Sequence, residues 1–366
     1  MITTFYRKYR PQTFDQVVGQ EMITRILKNA AITGKISQAY LFSGPRGTGK
    51  TSTARIVAKV VNCLTREKDK EFAKLGEPCN KCANCKEINS GKCLDLIEID
   101  AGSNRGIDEI RNLKENIKAV PTVLKKKVFI IDEVHQLTNE AFNALLKVLE
   151  EPPEHAMFIL ATTEFSKVPL TIISRTQQFH FKRIPLSEIQ KKIEYIAKQE
   201  KIDIEPQAIE FISTSAEGSI RDAECLLDQL SSLSDRRITV KDVEQMIGKI
   251  ILTELVKFSK LLLTGDKKTA LLKLEEIKEG GYDLVRFCKD LIIYLRKVAA
   301  LKYQPELKKI FSEQVPGKIL AEMIEQAKMI EPKHLKLLKS LINAYSQMRY
   351  SQFPIIPLEI AIMEGW

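Results

Sequence analysis

Gly44-Pro-Arg-Gly-Thr-Gly-Lys50-Thr51 puts three glycines, a lysine and two hydroxyls into eight positions. The spacing fits G-x-x-x-x-G-K-[ST]. In that pattern glycines turn backbone N–H groups inward around phosphate oxygens, and the helix that follows adds positive potential at its N-terminus. Gly44, Pro45, Arg46, Gly47, Thr48 and Gly49 would line the loop, Lys50 would reach the β- and γ-phosphates, and the Thr51 hydroxyl would ligate Mg²⁺. Further along, the apolar run of VFIIDEVH ends on Asp132 and Glu133. Asp132 is suited to hold Mg²⁺ through its water shell, and Glu133 to orient and polarise an attacking water. Hydrolysis of ATP, beyond its binding, is the expected chemistry.

A second group of residues suits a metal. Cys63 is followed by fifteen residues and then by C-x₂-C-x₂-C at Cys79, Cys82 and Cys85. Two-residue spacers let neighbouring thiolates converge on one ion, and four of them close a tetrahedral shell with no position left for water. The role is therefore structural, a small knob on the fold, with Lys81 and Lys86 beside it to offset thiolate charge. On spacing alone Cys93 competes as the fourth ligand, and an iron–sulfur cluster competes with zinc. Cys225 and Cys288 fall in apolar helical stretches and read as buried thiols.

These groups need elements to carry them. Ala39–Ser43 reads as a short apolar strand running into the glycine loop, and Lys50–Asn62 as the helix after it. Leu94–Asp100, Val128–Asp132 and Met157–Thr162 read as three more buried strands. Ala141, Phe142, Leu145, Leu146 and Leu149 recur at helical spacing between the last two strands, and Pro152-Pro153 stops that helix. Strands alternating with helices predict a parallel sheet covered on both faces. A helix starts at Pro185-Leu-Ser-Glu. From about Val243 onward the pattern is amphipathic helices, such as 257–263, 270–277 and 284–294.

Composition narrows the function. The chain has 366 residues, 44% hydrophobic and 28% charged, which supports packed cores and excludes disorder as the main state. No apolar run approaches the ~18 residues that a membrane helix needs. The opening MITTFYRKYR lacks the order of a secretory signal, so a cytoplasmic protein with reduced thiols and no membrane partner is expected. Of the net charge of +10, +8 falls in residues 1–60, where ten basic residues face two acidic ones. That points to a polyanionic partner, either nucleotide phosphates or nucleic acid.

Several blocks carry a family resemblance: YRKYRPQTFDQVVGQ, AYLFSGPRGTGKTSTARIVAKVVNC, DLIEIDAGSNRGIDEIR, VFIIDEVHQLTNEAFNALLKVLEEPPEHAMFILATTE and AEGSIRDAECLLDQL. Together they resemble the γ/τ family of bacterial DNA polymerase III, the AAA+ ATPases of the sliding-clamp loader. The likeness is dense over residues 6–230 and looser beyond. Small subunits of archaeal and eukaryotic replication factor C are similar in several blocks, but the cysteine insert favours the bacterial family.

The resemblance implies an α/β AAA+ core at 1–178 with a zinc insert at about 63–93, a helical lid at 179–243 and an all-α collar at 244–366. It implies that zinc is held by Cys63, Cys79, Cys82 and Cys85. Thr163 would be the polar sensor that helps to position the hydrolytic water. Arg175 would be an arginine finger reaching the γ-phosphate of a neighbouring subunit. Thr176 stands where the family usually has Cys, which touches local packing and not the finger. Arg221 would be the second sensor, and Arg7, Tyr9, Arg10 and Pro11 would lie against adenine and ribose.

Implied partners are the δ and δ′ subunits, further γ/τ copies, the sliding clamp and primer–template DNA. Polymerase and helicase join them if a longer τ form exists. Arg105, at the start of the helix after the second strand, would meet DNA phosphates, and the binding would be salt-sensitive and independent of sequence. A helicase, suggested by the D-E-x-H form at 132–135, needs a second ATPase core that the later half of the chain lacks. A degenerate, non-hydrolysing loader subunit would have lost the phosphate loop or the acidic pair, and both are intact here. Polymerase chemistry would need a second acidic metal constellation.

Overall fold

The computed structural model describes residues 4–103, 116–232, 236–247, 252–312, 315 and 317–365. The chain divides into two compact units, one formed by 1–184 with 216–225 and the other by 185–215 with 226–366.

The first unit is built on five parallel strands: β1 (Ala39–Ser43), β2 (Leu96–Asp100), β3 (Lys127–Asp132), β4 (Ala156–Thr162) and β5 (Gln177–His180), in the order β2-β3-β4-β1-β5. The central strands are apolar at successive positions because both faces are covered. Leu41, Phe129, Ile131, Phe158 and Leu160 face one layer, which includes helix Asn139–Glu150. Tyr40, Phe42, Val128, Ile130 and Ile159 face the other, against helices α1 (Glu21–Thr33) and α2 (Lys50–Asn62). Phe129 and Phe158 stack at 5.2 Å on the first face. Three of the four expected strands lie in this buried centre.

One expected strand needs correcting, and the sheet has one strand more than expected. The 94–100 run is not a buried strand: β2 begins at Leu96, and its residues are half-buried or exposed. Among the described residues it pairs with β3 alone, so Glu98 and Asp100 can point outward at the sheet's edge. The other edge, β5, gives almost no apolar signal. Only Phe179 of Gln-Gln-Phe-His is buried, yet the strand pairs with β1 along its whole length.

The second unit is helical. Helices Leu186–Glu200, Pro206–Ser215 and Val240–Ile247 come with an isolated bridge between Ile204 and Ile238. Further helices among the described residues include Leu252–Thr264, Lys267–Glu279, Leu284–Tyr303, Gly317–Lys328, Pro332–Met348 and Ile355–Glu364. They share one core that includes Phe258, Phe287, Leu291, Leu341 and Leu358. Cys288 is buried in it, as expected, whereas Cys225 is only half-buried. Helix Ile220–Ser231 has one apolar face, and Cys225 falls at its margin.

Asp95 fixes the edge strand. It is 1% exposed, and its carboxylate accepts N–H bonds from Thr122, Val123 and Leu124 at 2.7–3.0 Å, while its carbonyl accepts Val128 N–H. Burial alone would raise its pKa, but those donors outweigh burial and hold it below the usual carboxylate value. The stabilisation is full above the unfolded pKa of ~3.9 and is lost as pH falls through the lower folded value. Asp95→Asn should therefore cost about 2 kcal/mol at neutral pH. In urea unfolding, the gap between variant and wild type should close in acid.

Candidate functional site

Every part of the expected phosphate site lies at the C-terminal ends of adjacent strands, where ligands of parallel α/β sheets collect. β1 ends at Ser43, and the glycine loop follows it into α2. Gly47 has φ +72°, and a Cβ there would run into the Ser219 hydroxyl. A Cβ on Gly44, at φ +139°, would run into the Phe181 carbonyl in the same way. Only glycine lets the loop turn its backbone inward under these neighbours. Thr48 Oγ1 closes the turn by donating to Pro45 O at 2.8 Å, while Arg46 stays exposed.

Lys50 is 5% exposed, and its Nζ donates to the carbonyls of Gly44 and Pro45 at 2.8 Å each. Burial pulls its pKa down, and the charges of Asp132 and Glu133 work against that pull. Thr51 Oγ1 donates to Asp132 Oδ2 at 2.8 Å, so the hydroxyl and carboxylate expected to share Mg²⁺ already touch. Glu133 lies one residue past β3 with φ +49°, ψ +43°, a left-handed conformation that costs a non-glycine residue about 1–3 kcal/mol. Thr163 holds its carboxylate in that position: Thr163 Oγ1 and N donate to Glu133 Oε2 at 2.8 and 3.1 Å.

Sequence reading missed His135 as a member of this group, although DEVH displays it. Its side chain is 6% exposed, with Nδ1 at 2.9 Å from Thr162 Oγ1 and 3.4 Å from Glu133 Oε2, and Nε2 at 3.3 Å from Glu164 Oε1. Tyr6 and Ser219 were missed too. The Arg221 guanidinium lies over the Tyr6 ring at 4.8 Å, and Arg7 Nε donates to the Tyr6 hydroxyl at 2.9 Å. That hydrogen bond leads the causes that lower the Tyr6 pKa. Tyr9, Arg10 and Pro11 are half-buried on the same segment. Burial, with Arg55 and Arg221 nearby, lowers the Arg10 pKa.

Arg175 stands apart from this group. It is exposed and pairs with Glu150 at 2.7 Å. Thr176 Oγ1 bonds back to Ile172 O at 3.0 Å, so the departure from the family's Cys leaves no orphaned hydroxyl. Arg105 lies outside the described residues.

The thiolate cluster is a separate centre. Cys63 follows the end of α2, Cys79 and Cys82 flank a turn, and Cys85 lies in helix α3 (Ala83–Ser90). Their four Sγ atoms lie within 4.8 Å of one another. A tetrahedral ion with bonds of ~2.3 Å would set them about 3.8 Å apart. Four sulfurs and no carboxylate suit a thiolate-preferring metal. Burial would raise the Cys79 pKa, but hydrogen bonds with Thr65, Lys81, Cys82 and Cys63 outweigh it and lower it to about 6. Burial pushes the Cys85 thiol well up. Cys93 does not join the four; it packs with Ile88 and Leu124.

Comparison with known proteins now bears on these groups. The family described as "DNA polymerase III, delta subunit" matches residues 19–185, "DNA polymerase III clamp loader subunit, ATPase lid domain" matches 188–235, and "DNA polymerase III subunits gamma and tau domain III" matches 238–364. DNA polymerase III subunit tau of Bacillus subtilis is 43% identical over 98% of this chain and 62% of its own length. Subunit tau of Escherichia coli is 40% identical over 82% of this chain and 45% of its own. Subunit gamma of Buchnera aphidicola is 39% identical over 82% of this chain and 80% of its own. The chain thus spans about half to three-fifths of the two tau subunits.

The thiolate geometry makes a direct prediction. Protein purified under reductant should carry one metal ion per chain by elemental analysis. Cys82→Ser should lose it, and Cys93→Ser should keep it.

Proposed function

Because the chain belongs to the γ/τ family of DNA polymerase III subunits, we propose that it is the ATP-hydrolysing motor of a bacterial sliding-clamp loader. The observation that carries this reading is the bonded set Thr51–Asp132 and Glu133–Thr163 beside Lys50. It supports MgATP held by the glycine loop and Lys50, with Mg²⁺ near Thr51 and Asp132. Water would then be activated by Glu133, whose carboxylate Thr163 aims. Arg7, Tyr9, Arg10 and Pro11 take the adenine and ribose, and Arg221, over Tyr6, reports the nucleotide state.

Arg175 acts in trans. Its ion pair with Glu150 lies at the surface, where such pairs contribute up to about 1 kcal/mol, so the finger is released cheaply when a neighbour's γ-phosphate competes for it. Partners in this reading are δ, δ′, further γ/τ copies, the sliding clamp and primer–template DNA. The longer tau relatives leave room for polymerase and helicase contacts elsewhere. The thiolate site takes a structural Zn²⁺. The domain limits proposed from the sequence are a core to 178, a lid to 243 and a collar beyond. A cytoplasmic location accords with the absence, among the described residues, of any helix long and apolar enough to cross a membrane.

A non-hydrolysing scaffold is the competing reading, and the intact acidic pair speaks against it. Steady-state hydrolysis with the other loader subunits, first with clamp and then with primed DNA added, should rise stepwise. Glu133→Gln should lower turnover at least ~100-fold while sparing ATP binding. Arg175→Ala should lower it about 1,000-fold in the assembly. ATP binding without turnover in the wild-type assembly would leave a scaffold.

A further inference from the structure

The segment bearing Tyr6 to Pro11 has no place in the sheet. It is a helical turn at Phe5–Lys8, an extended stretch and a second turn at Phe14–Gln16. Its backbone is held by the cysteine insert. The Glu77 carboxylate, 8% exposed, accepts the N–H groups of Phe14 and Asp15 at 2.8 and 3.1 Å and pairs with Lys28 at 2.9 Å.

Three residues on, Asn80 lies in the turn between Cys79 and Cys82 at φ +54°. Its Nδ2 donates to Gln12 O at 3.1 Å. Lys59, on α2 and 1% exposed, donates to the same carbonyl at 2.9 Å. Its ammonium also reaches Gln12 Oε1 and Asn80 Oδ1, at 2.7 Å each. A buried lysine with three acceptors, two from the N-terminal segment and one from the metal turn, ties both to the helix that leaves the phosphate loop. The segment also meets that loop. A Cβ on Gly49 would sit 3.6 Å from Val17, and Arg221, whose Cβ flanks Gly47, covers Tyr6.

We propose that the thiolate insert braces the base-and-ribose side of the nucleotide site, with Lys59 and Asn80 as the positioning residues that transmit it. The proposal rests on the nucleotide reading above and adds to it a task for the insert. Removing the Lys59 ammonium strands Gln12 Oε1 and Asn80 Oδ1 in a part-buried setting, where unpaired acceptors are costly. The segment from Arg10 to Gln12 then shifts. The phosphate loop takes none of these bonds, so affinity for phosphates and affinity for the nucleoside should separate.

The test is a calorimetric titration of the full chain, with zinc in slight excess, using ADP and, separately, inorganic tripolyphosphate. Wild type, Lys59→Met and Asn80→Ala are compared. Both variants should bind tripolyphosphate as wild type does and ADP about 10-fold more weakly. Unchanged ADP affinity in both variants would overturn the brace. So would equal losses for the two ligands, since a general loosening of the fold would produce that. If Lys59→Met does not fold, Asn80→Ala, which removes no metal ligand, decides alone. A wild-type chain that binds neither ligand would overturn the nucleotide reading and the brace together, an outcome distinct from failure of the brace alone.

Discussion

Parallel pairing of β3, β4 and β1 is the constraint on which the rest of the chain depends. The pairing sets Ile131 opposite Leu160 and Ser43 opposite Thr162. It therefore ends three strands at one level and releases Asp132, Thr163 and the glycine loop side by side. A slip of one residue would turn each strand's buried side chains to the opposite face. The bonds from Thr51 to Asp132 and from Thr163 to Glu133 would part with it. Burial of Phe129, Phe158 and their neighbours on both faces therefore also fixes distances between polar groups that none of those side chains touches.

Where the polar groups sit, local preferences give way. Glu133 holds a left-handed backbone, Lys50 keeps an ammonium buried, and Gly47 is hemmed in by Ser219. Each is unfavourable by itself, and each is sustained by a sheet too well packed to relax around it. Lys59 follows the same rule at the far end of α2. Burial lowers its pKa to about 8, and its three acceptors make up for water it no longer meets.

Much of this could be read in the sequence, for identifiable reasons. Strands buried on both faces give unbroken apolar runs, so Ala39–Ser43, Val128–Asp132 and Met157–Thr162 stood out. Loops that cradle phosphate or metal constrain residue type at fixed spacing, which exposed Lys50, Thr51 and the four cysteines. Edge strands carry neither signal: β5 buries one side chain, and β2 mixes acids with its isoleucines. Long-range polar ties are silent as well. Lys59 lies among Val, Ala and Val on a helix, where a lysine reads as a solvated side chain. Glu77 and Gln12 are sixty-five residues apart, and nothing near either announces that they belong to one junction. Lys81 and Lys86, which the sequence offered as counter-charges for the thiolates, point to solvent, and Lys59 takes that place instead.

The two margins of the sheet have a further consequence, for solubility. A parallel sheet offers unpaired N–H and C=O groups along its outer strands, and a long, flat, apolar margin invites a strand from another molecule. β2 meets any such approach with two exposed carboxylates in five residues, and β5 is only four residues long. Neither gives an incoming strand enough apolar length to register against. The same weak patterning that hid these strands in the sequence makes them poor templates for aggregation.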